Sequence, residues 1–245
     1  MNGQEDYEKL IDYIEQQLYE GALKVGDRLP AERELSSILQ ISRGAVRIGL
    51  AVLVAIGIVD SRQGSGNYIN GEYDHKLTQM MTMMYALCEM SQLEMIGFRY
   101  AAEQEAILLA HRSISPAQKE QLRAHLEALE NASDAKEQIL HDQMIHQIIV
   151  EASNNRLVIA RYMALNKMLY PLIRHVRESI ANMGPKEADG LQSMHRKLVE
   201  HLCNNNYQGA KAALDGHFYF LRKVIEAEVE KELKPEIAPN AQENE

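Results

Sequence analysis

Residues 42–69 read SRGAVRIGLAVLVAIGIVDSRQGSGNYI, and this stretch decides the fold of the N-terminal part of the chain. Ser42 is suited to cap a helix because its hydroxyl can accept a hydrogen bond from a free amide of the first turn. The apolar positions after it predict a helix to about Ile56, and Gly57 ends that pattern. Two short strands around the glycine-containing turn at 63–66 complete a predicted β-hairpin.

Two helices are predicted before this stretch. Apolar residues recur at helical spacing over 7–19, and a short helix is expected over 31–39 after a loop with glycine and proline. Ile41 marks a tight turn into the third helix. Helix, turn, helix and hairpin in this order predict a winged helix-turn-helix over residues 1–70, a fold whose third helix enters the DNA major groove.

The rest of the chain carries helical periodicity and no strand signals. Residues 71–76 are polar with a glycine and are interpreted as a linker, whereas 77–233 divides at polar breaks into about seven helices. The last residues, 234–245, contain two prolines and mostly polar side chains, which predicts disorder. The expected fold class is therefore mostly α, with a winged helix-turn-helix followed by an all-α helical bundle.

Composition narrows the class of protein. Hydrophobic residues make up 46% and charged residues 25% of 245 residues, the balance of a globular protein. The net charge of −9 argues against binding of polyanions by the whole surface but leaves a local basic patch possible. No apolar stretch reaches the roughly 20 residues of a membrane span, and no basic leader opens the chain. We expect a cytoplasmic protein with no membrane partner.

Arginines on the third helix are candidates for DNA contact. Arg43 and Arg47 lie four residues apart and so share a helix face, and no Asp or Glu occurs between Leu35 and Val59. An arginine fork can bond a guanine edge twice or clamp a phosphate. The flanking members of this candidate DNA-binding set are Arg33, Arg62 and Gly64. On spacing alone, arginines that are merely solvated remain the alternative.

A carboxylate and an imidazole in the second half form a candidate metal site. Asp142 and His146 lie four apart and therefore on one helix face, and His195 and His217 fall on later amphipathic helices. A bundle that gathers all four would suit a divalent metal ion such as zinc or nickel. Histidines that are only capped or solvent-facing remain the alternative, since nine are scattered along the chain.

The N-terminal residues resemble the GntR family of bacterial regulators over about 7–70. The resemblance rests on GDRLPAEREL at 26–35, ISRGAVR at 41–47, GIV at 57–59 and GSG at 64–66. It implies that Arg33, Arg43, Arg47 and Gly64 correspond to positions used on operator DNA. Three positions depart from the family pattern: Ile48 where an acidic residue is usual, Gly49 where alanine is common, and Ala31 where serine is common. These departures imply a less stable third helix and a different operator preference.

The helical half resembles the FCD domain of the FadR-like subgroup over about 77–230, and its spacings are similar to those of lactate-type regulators. FRYAAE at 98–103 resembles the early Arg-x-x-x-Glu helix, and Asp142-x-x-x-His146 followed by SNN at 153–155 resembles the first metal-ligand helix. His195 and His217 match the two later ligand positions. Arg99 becomes a candidate for binding an effector carboxylate, with a structural ion pair to Glu103 as the open alternative.

Together these features predict a homodimeric transcriptional regulator, with repression as the expected sign. Operator DNA and a small carboxylate effector at the metal are the expected partners. The rival interpretation is a metal-dependent hydrolytic enzyme with a DNA-binding head. The sequence offers that rival no nucleophile elbow, phosphate-binding glycine loop or HExxH segment.

Overall fold

The computed structural model describes residues 3–233 and divides into two compact units, with the boundary between Met83 and Met84. The predicted disordered tail, 234–245, lies outside the described residues. The elements are α1 (Gly3–Tyr19), α2 (Glu32–Leu39), α3 (Arg43–Ala55), β1 (Val59–Arg62), β2 (Gly66–Ile69), α4 (Asp74–Leu87), α5 (Gln92–Ser113), α6 (Pro116–Asn131), α7 (Ala135–Glu151), α8 (Arg156–Met183), α9 (Pro185–Cys203) and α10 (Tyr207–Leu233). A winged helix-turn-helix followed by seven helices confirms the expected fold class.

Within 3–233 no single helix is long and apolar enough to cross a membrane. Helices α2 and α3 meet that test only as a pair, and they are bent by 110° relative to each other.

In the first unit, α1, α2 and α3 share a small apolar core with the hairpin. The Ser42 hydroxyl accepts a hydrogen bond from the Ala45 amide at 3.1 Å, which is the predicted cap of α3. Strand β1 pairs antiparallel with β2, from Val59 opposite Ile69 to Arg62 opposite Gly66. The core side chains are Leu10, Ile14, Leu29, Leu35, Ile41, Val46, Leu50, Leu53, Val59 and Ile69.

The predicted linker at 71–76 is only half non-helical. Helix α4 begins at Asp74, and the Leu77 amide donates to the Tyr73 carbonyl at 2.9 Å. An acidic residue is favourable in a first helical turn because it opposes the positive end of the helix dipole. No residue of α4 is buried, so the spacing of apolar residues in the sequence did not indicate where this helix begins.

The second unit is organised around α5, which contacts α7, α8, α9 and α10. Helix α10 also packs along α9, and α6 packs on α7. One continuous cluster of buried apolar side chains joins these helices. Polar side chains on the inward face of α5 therefore meet side chains of four other helices. The candidate metal site lies at this meeting point.

The break between α8 and α9 is shorter than the sequence predicts. Glycine and proline at 184–190 are signals of a loop, but Gly184 alone separates the two helices. Its φ of +133° lies in a region that favours glycine, and Pro185 occupies the first position of α9, where a missing amide costs nothing. The two punctuating residues thus form one sharp corner instead of a long loop.

Gly49 is a contact point between α3 and α1. A methyl group at this position would lie 2.8 Å from the Leu10 Cδ2 atom and 3.1 Å from the Tyr7 carbonyl oxygen. From the sequence, Gly49 is only a cost to helix stability. In the structure, glycine at this position permits the close approach of α1 and α3. Gly44, on the exposed side of the same helix, has only the Ser42 hydroxyl at 3.7 Å.

We expect Gly49→Ala to lower the free energy of unfolding and Gly44→Ala to raise it. Overpacking of a tight contact costs about 1–3 kcal/mol, whereas alanine in a helix is worth about 1 kcal/mol over glycine. Urea unfolding of the full chain, followed by circular dichroism, measures both. Equal gains in stability from the two substitutions would show that the α1–α3 contact has room for a methyl group.

Candidate DNA-reading surface and metal centre

Helix α3 presents a basic strip to solvent. Arg43, Gly44, Arg47 and Ile48 are exposed, while Ala45, Val46, Gly49, Leu50 and Leu53 are buried against the rest of the unit. The predicted common face of Arg43 and Arg47 therefore points outward, and the Arg47 side chain is 71% exposed. Arg33 is exposed on α2, next to Glu32.

Two of the candidate DNA-binding arginines hold carboxylates. The Arg47 Nε donates to the Glu32 Oε2 at 2.8 Å, and the Arg62 Nε donates to the Asp60 Oδ2 at 2.9 Å. The hydrogen bond and charge of Glu32 raise the pKa of Arg47. These partners lie just outside the acid-free stretch of the sequence, which is why sequence analysis missed them. A DNA phosphate or base that binds these arginines would compete with the two carboxylates.

The hairpin turn leaves its backbone open. Gly64 has a φ of +73° and nothing within 4 Å of a potential Cβ atom, so the turn can approach another molecule closely. Below it, the Arg62 guanidinium lies 4.4 Å from the centre of the Tyr68 ring. The five candidate DNA-binding residues thus belong to one unit, and all of them are exposed.

Three histidines from three helices converge in the core of the second unit. His146 on α7, His195 on α9 and His217 on α10 are at most 1% exposed, and they offer ligand atoms that all lie within 4.8 Å of one another. Their ring centres are 4.7 to 5.4 Å apart. Within residues 3–233, these histidines form the one group of three or more potential ligands that lie close enough together to hold a metal ion.

Asp142 lies beside the histidines. Its Oδ1 is 3.9 Å from the His146 Nε2, and its Oδ2 is 3.4 Å from the His195 Nε2. The Arg177 Nη2 donates to Oδ2 at 2.6 Å, while Oδ1 has no hydrogen-bond partner. Burial opposes ionisation, but the positive charge of Arg177 outweighs it and holds the pKa of Asp142 well below its usual value. All four predicted ligands are therefore brought together, with one carboxylate oxygen unpartnered.

Outer partners orient two of the imidazoles. The His146 Nδ1 lies 2.5 Å from the Glu103 Oε2, and the His195 Nδ1 lies 3.1 Å from the Leu191 carbonyl oxygen. Both partners are acceptors, so each Nδ1 carries the proton and each Nε2 presents a lone pair. The two Nε2 atoms are 3.3 Å apart. Two facing lone pairs repel each other, and a cation between them would turn this repulsion into attraction.

The remaining histidine has the same requirement. Both ring nitrogens of His217 are buried without a hydrogen-bond partner. Burial holds the pKa of His217 well below its usual value, and burial with the Arg99 charge lowers the pKa of His146. Neutral imidazole is the form that binds a metal. The donor set and its orphaned atoms therefore fit a divalent ion.

Arg99 is buried at 1% exposure and forms an ion pair with Glu103 at 2.8 Å. This is the structural alternative that the sequence left open. Its Nη2 lies 3.5 Å from the Asp142 Oδ1 and makes no hydrogen bond. Arg99 therefore has one donor nitrogen left for another group, so the structure contains the ion pair without assigning the effector role.

Three side chains of the site were missed by sequence analysis. Glu103 was interpreted only as the Arg99 partner, yet it also orients His146. Tyr162 and Arg177 come from α8; the Tyr162 hydroxyl is buried without a hydrogen-bond partner, and burial raises its pKa. No local motif marks either residue of α8. Only the packing of α8 against α5 and α7 could reveal them.

A small cavity adjoins this cluster and has room for roughly one water molecule. Its polar lining consists of Arg99, Asp142 and Arg177. The apolar lining consists of Ile96, Leu172, Ile173, Val176, Leu191 and Leu221. The cavity thus has one charged end and one apolar wall.

Comparisons with known proteins match both units. Residues 6–69 match the model of the bacterial regulatory proteins of the gntR family, and 94–220 match the FCD domain model. A protein of Escherichia coli named for regulation of the L-lactate dehydrogenase operon is 26% identical over 223 residues, covering 89% of this chain and 85% of its own. The Glc operon transcriptional activator of Escherichia coli is 24% identical, covering 88% and 87%. A GntR protein structure from Streptococcus agalactiae aligns over 90% of this chain and 99% of its own, with a TM-score of 0.47 and 22% identity.

These families and relatives are transcriptional regulators and not enzymes, which confirms the regulator over the hydrolytic rival. The two matched regions together cover the winged unit and most of the helical unit. The chain belongs to the GntR family of bacterial regulatory proteins and is a DNA-binding transcriptional regulator with a C-terminal FCD domain.

Proposed function

We propose that this regulator binds its operator through α3 and the hairpin and that a small carboxylate, bound at a divalent metal in the helical unit, controls that binding. The observation that carries the proposal is the pair of Nε2 lone pairs of His146 and His195, 3.3 Å apart, beside Asp142 and His217. We propose zinc or nickel as the metal, since three imidazoles and a carboxylate suit either. The bound ion would supply a Lewis-acidic position for an effector oxygen.

Charge in the buried cluster supports an anionic effector. Asp142 and Glu103 carry two negative charges, and Arg99 and Arg177 carry two positive charges, so the charges of these four side chains sum to zero. A divalent ion would leave an excess of +2 in a buried site. A carboxylate would offset part of that excess, which makes its binding depend on the metal. The relative named for an L-lactate dehydrogenase operon is consistent with a small carboxylate.

For the reading head, we propose that Arg43 and Arg47 contact bases or phosphates from the major groove while Arg33, Arg62 and Gly64 contact the backbone. A homodimer would place two such heads on a roughly palindromic operator. We propose repression relieved by ligand as the sign of the response. Its site of action is then the cytoplasm, where bacterial operator DNA lies.

We expect Arg43→Ala and Arg47→Ala to weaken operator binding by about tenfold or more, since an arginine contact to guanine is worth about 1–3 kcal/mol. Fluorescence anisotropy at fixed salt, with duplexes selected by the wild-type protein from a random pool, measures this. Arg174→Ala is the matched control, because Arg174 is exposed on α8 and pairs with Glu178. Unchanged affinity of both α3 variants would remove α3 as the reading helix.

We expect His195→Ala and His217→Ala to lose bound metal and the response to carboxylates while keeping DNA binding. Each removes one of few ligands, and the reading surface lies in the other unit. Elemental analysis of purified full-length protein and anisotropy with carboxylates measure both effects. His175→Ala is the control, since His175 is 45% exposed and bonds Glu228. Full metal content in His195→Ala would exclude that residue as a ligand.

A further inference from the structure

Arg177 is placed differently from Arg99, although both line the same cavity. Arg99 is 1% exposed and fixed by Glu103, whereas the Arg177 side chain is 13% exposed and reaches the cluster only through Asp142, at 2.6 Å. The Nε of Arg177 is buried and has no hydrogen-bond partner. A buried guanidinium nitrogen without an acceptor is costly, and an incoming carboxylate oxygen would satisfy it.

The rest of the cavity wall limits what that carboxylate can be attached to. Away from Arg99, Asp142 and Arg177, the lining is aliphatic. A second carboxylate turned toward this wall would lose its hydration and gain no partner there. A methyl or ethyl group would instead bury apolar surface. The lining therefore matches an acid with one carboxylate and a short apolar tail.

We propose that Arg177 anchors the effector carboxylate and that the aliphatic wall selects short monocarboxylates over dicarboxylates of similar length. This inference rests on the metal-linked carboxylate sensor proposed above, and it assigns to Arg177 the anchoring role that the sequence suggested for Arg99. One carboxylate oxygen faces the metal cluster, and the other accepts from Arg177. Arg99 remains the structural partner of Glu103.

Pro171 weakens α8 at the point where the helix forms the cavity wall. The cavity holds roughly one water, so a larger ligand requires movement of the wall. Four lining residues follow Pro171 on α8: Leu172, Ile173, Val176 and Arg177. A proline inside a helix removes the amide that would bond the carbonyl four residues earlier, here Lys167, and weakens the helix at that point. The segment after Pro171 can then shift and carry Arg177 with it.

The test is isothermal titration of metal-loaded full-length protein with lactate, 2-hydroxybutyrate and malate. Lactate and malate share a 2-hydroxy acid end and differ in the tail, a methyl group against a carboxymethyl group. We expect the wild type to bind the first two at least about tenfold more tightly than malate. Arg177→Ala should weaken lactate binding to the metal-loaded fraction of the protein by at least about tenfold, as expected for a charge-assisted hydrogen bond; Arg177→Lys, which keeps a positive charge beside Asp142, should keep its metal content. Arg174→Ala, one turn earlier on α8, should bind as the wild type does.

The outcomes separate this inference from the proposed sensor. Equal lactate affinity in Arg177→Ala and wild type, with binding still dependent on metal, overturns the anchor and leaves the sensor standing. Loss of metal from Arg177→Ala and also from Arg177→Lys makes Arg177 a positioning residue for Asp142 and overturns the anchor as well. Equal affinity for malate and lactate overturns the selection by the wall. A wild type that binds neither metal nor any of the three acids overturns the sensor and this inference together.

A second inference concerns the reading head and rests on a separate observation. Ile48 is 51% exposed on α3, directly after Arg47 and one turn beyond Gly44, which has no side chain to cover it. The other large apolar residues of α3 are buried or half-buried. Thymine is the base that presents a methyl group in the major groove of unmodified DNA. We infer that Ile48 contacts a thymine methyl group next to the base or phosphate bound by Arg47.

Uracil substitution tests this contact because it deletes the methyl group and leaves every hydrogen-bonding atom in place. In a duplex selected by the wild-type protein, each thymine is replaced singly by uracil, and affinity is measured for wild type, Ile48→Ala and Ile38→Ala. Ile38 is the matched control, 49% exposed on α2. We expect one position where uracil weakens wild-type binding by about fourfold, the value of one buried methyl group, and leaves Ile48→Ala unaffected. Equal losses in all three proteins at every thymine would overturn the inference.

Discussion

The buried ion pair between Asp142 and Arg177 is the contact on which the geometry of the second unit depends. Asp142 is 4% exposed, and a lone carboxylate at that depth would cost several kcal/mol. Arg177 fixes the Oδ2 atom, which lies 3.4 Å from the His195 Nε2, while the unpartnered Oδ1 lies 3.9 Å from the His146 Nε2. Because Asp142 lies on α7 and Arg177 on α8, the same contact also joins these two helices. The site and the helix packing are therefore one arrangement.

The facing Nε2 lone pairs of His146 and His195 repel each other, and helix packing does not remove this repulsion. Glu103 and the Leu191 carbonyl impose the proton on the outer nitrogen of their imidazoles, so the inner nitrogens face each other as acceptors. An apolar core would have been simpler to stabilise, since neutral polar groups without partners are penalised when buried. A cluster that is satisfied only by a cation makes the stability of its surroundings depend on that cation.

How far the sequence reached follows from the range of each interaction. Asp142 and His146 were predictable because four residues along a helix always share a face, and Ser42 because a cap is a local hydrogen bond. His195 and His217 needed the resemblance, since their distance from His146 depends on the packing of three helices. Arg177, Tyr162 and the Glu32 contact of Arg47 left no trace in the sequence pattern, because each depends on side chains that meet across helices. The tight approach at Gly49 was misjudged for the same reason.

Control of DNA binding by a ligand requires that the ligand bind two arrangements of the protein with different affinity. A carboxylate that accepts from the free Arg177 Nε would place a second negative charge beside Asp142 on the same guanidinium, and so would weaken the contact that joins α7 to the second half of α8. Pro171 already separates that half from the first by interrupting the helical hydrogen bonds. The proposed effector and Asp142 would thus share one guanidinium, and a change in its contacts would move a helix segment instead of a single side chain. Such a change would supply the differential affinity even though the cavity beside Arg177 holds roughly one water molecule.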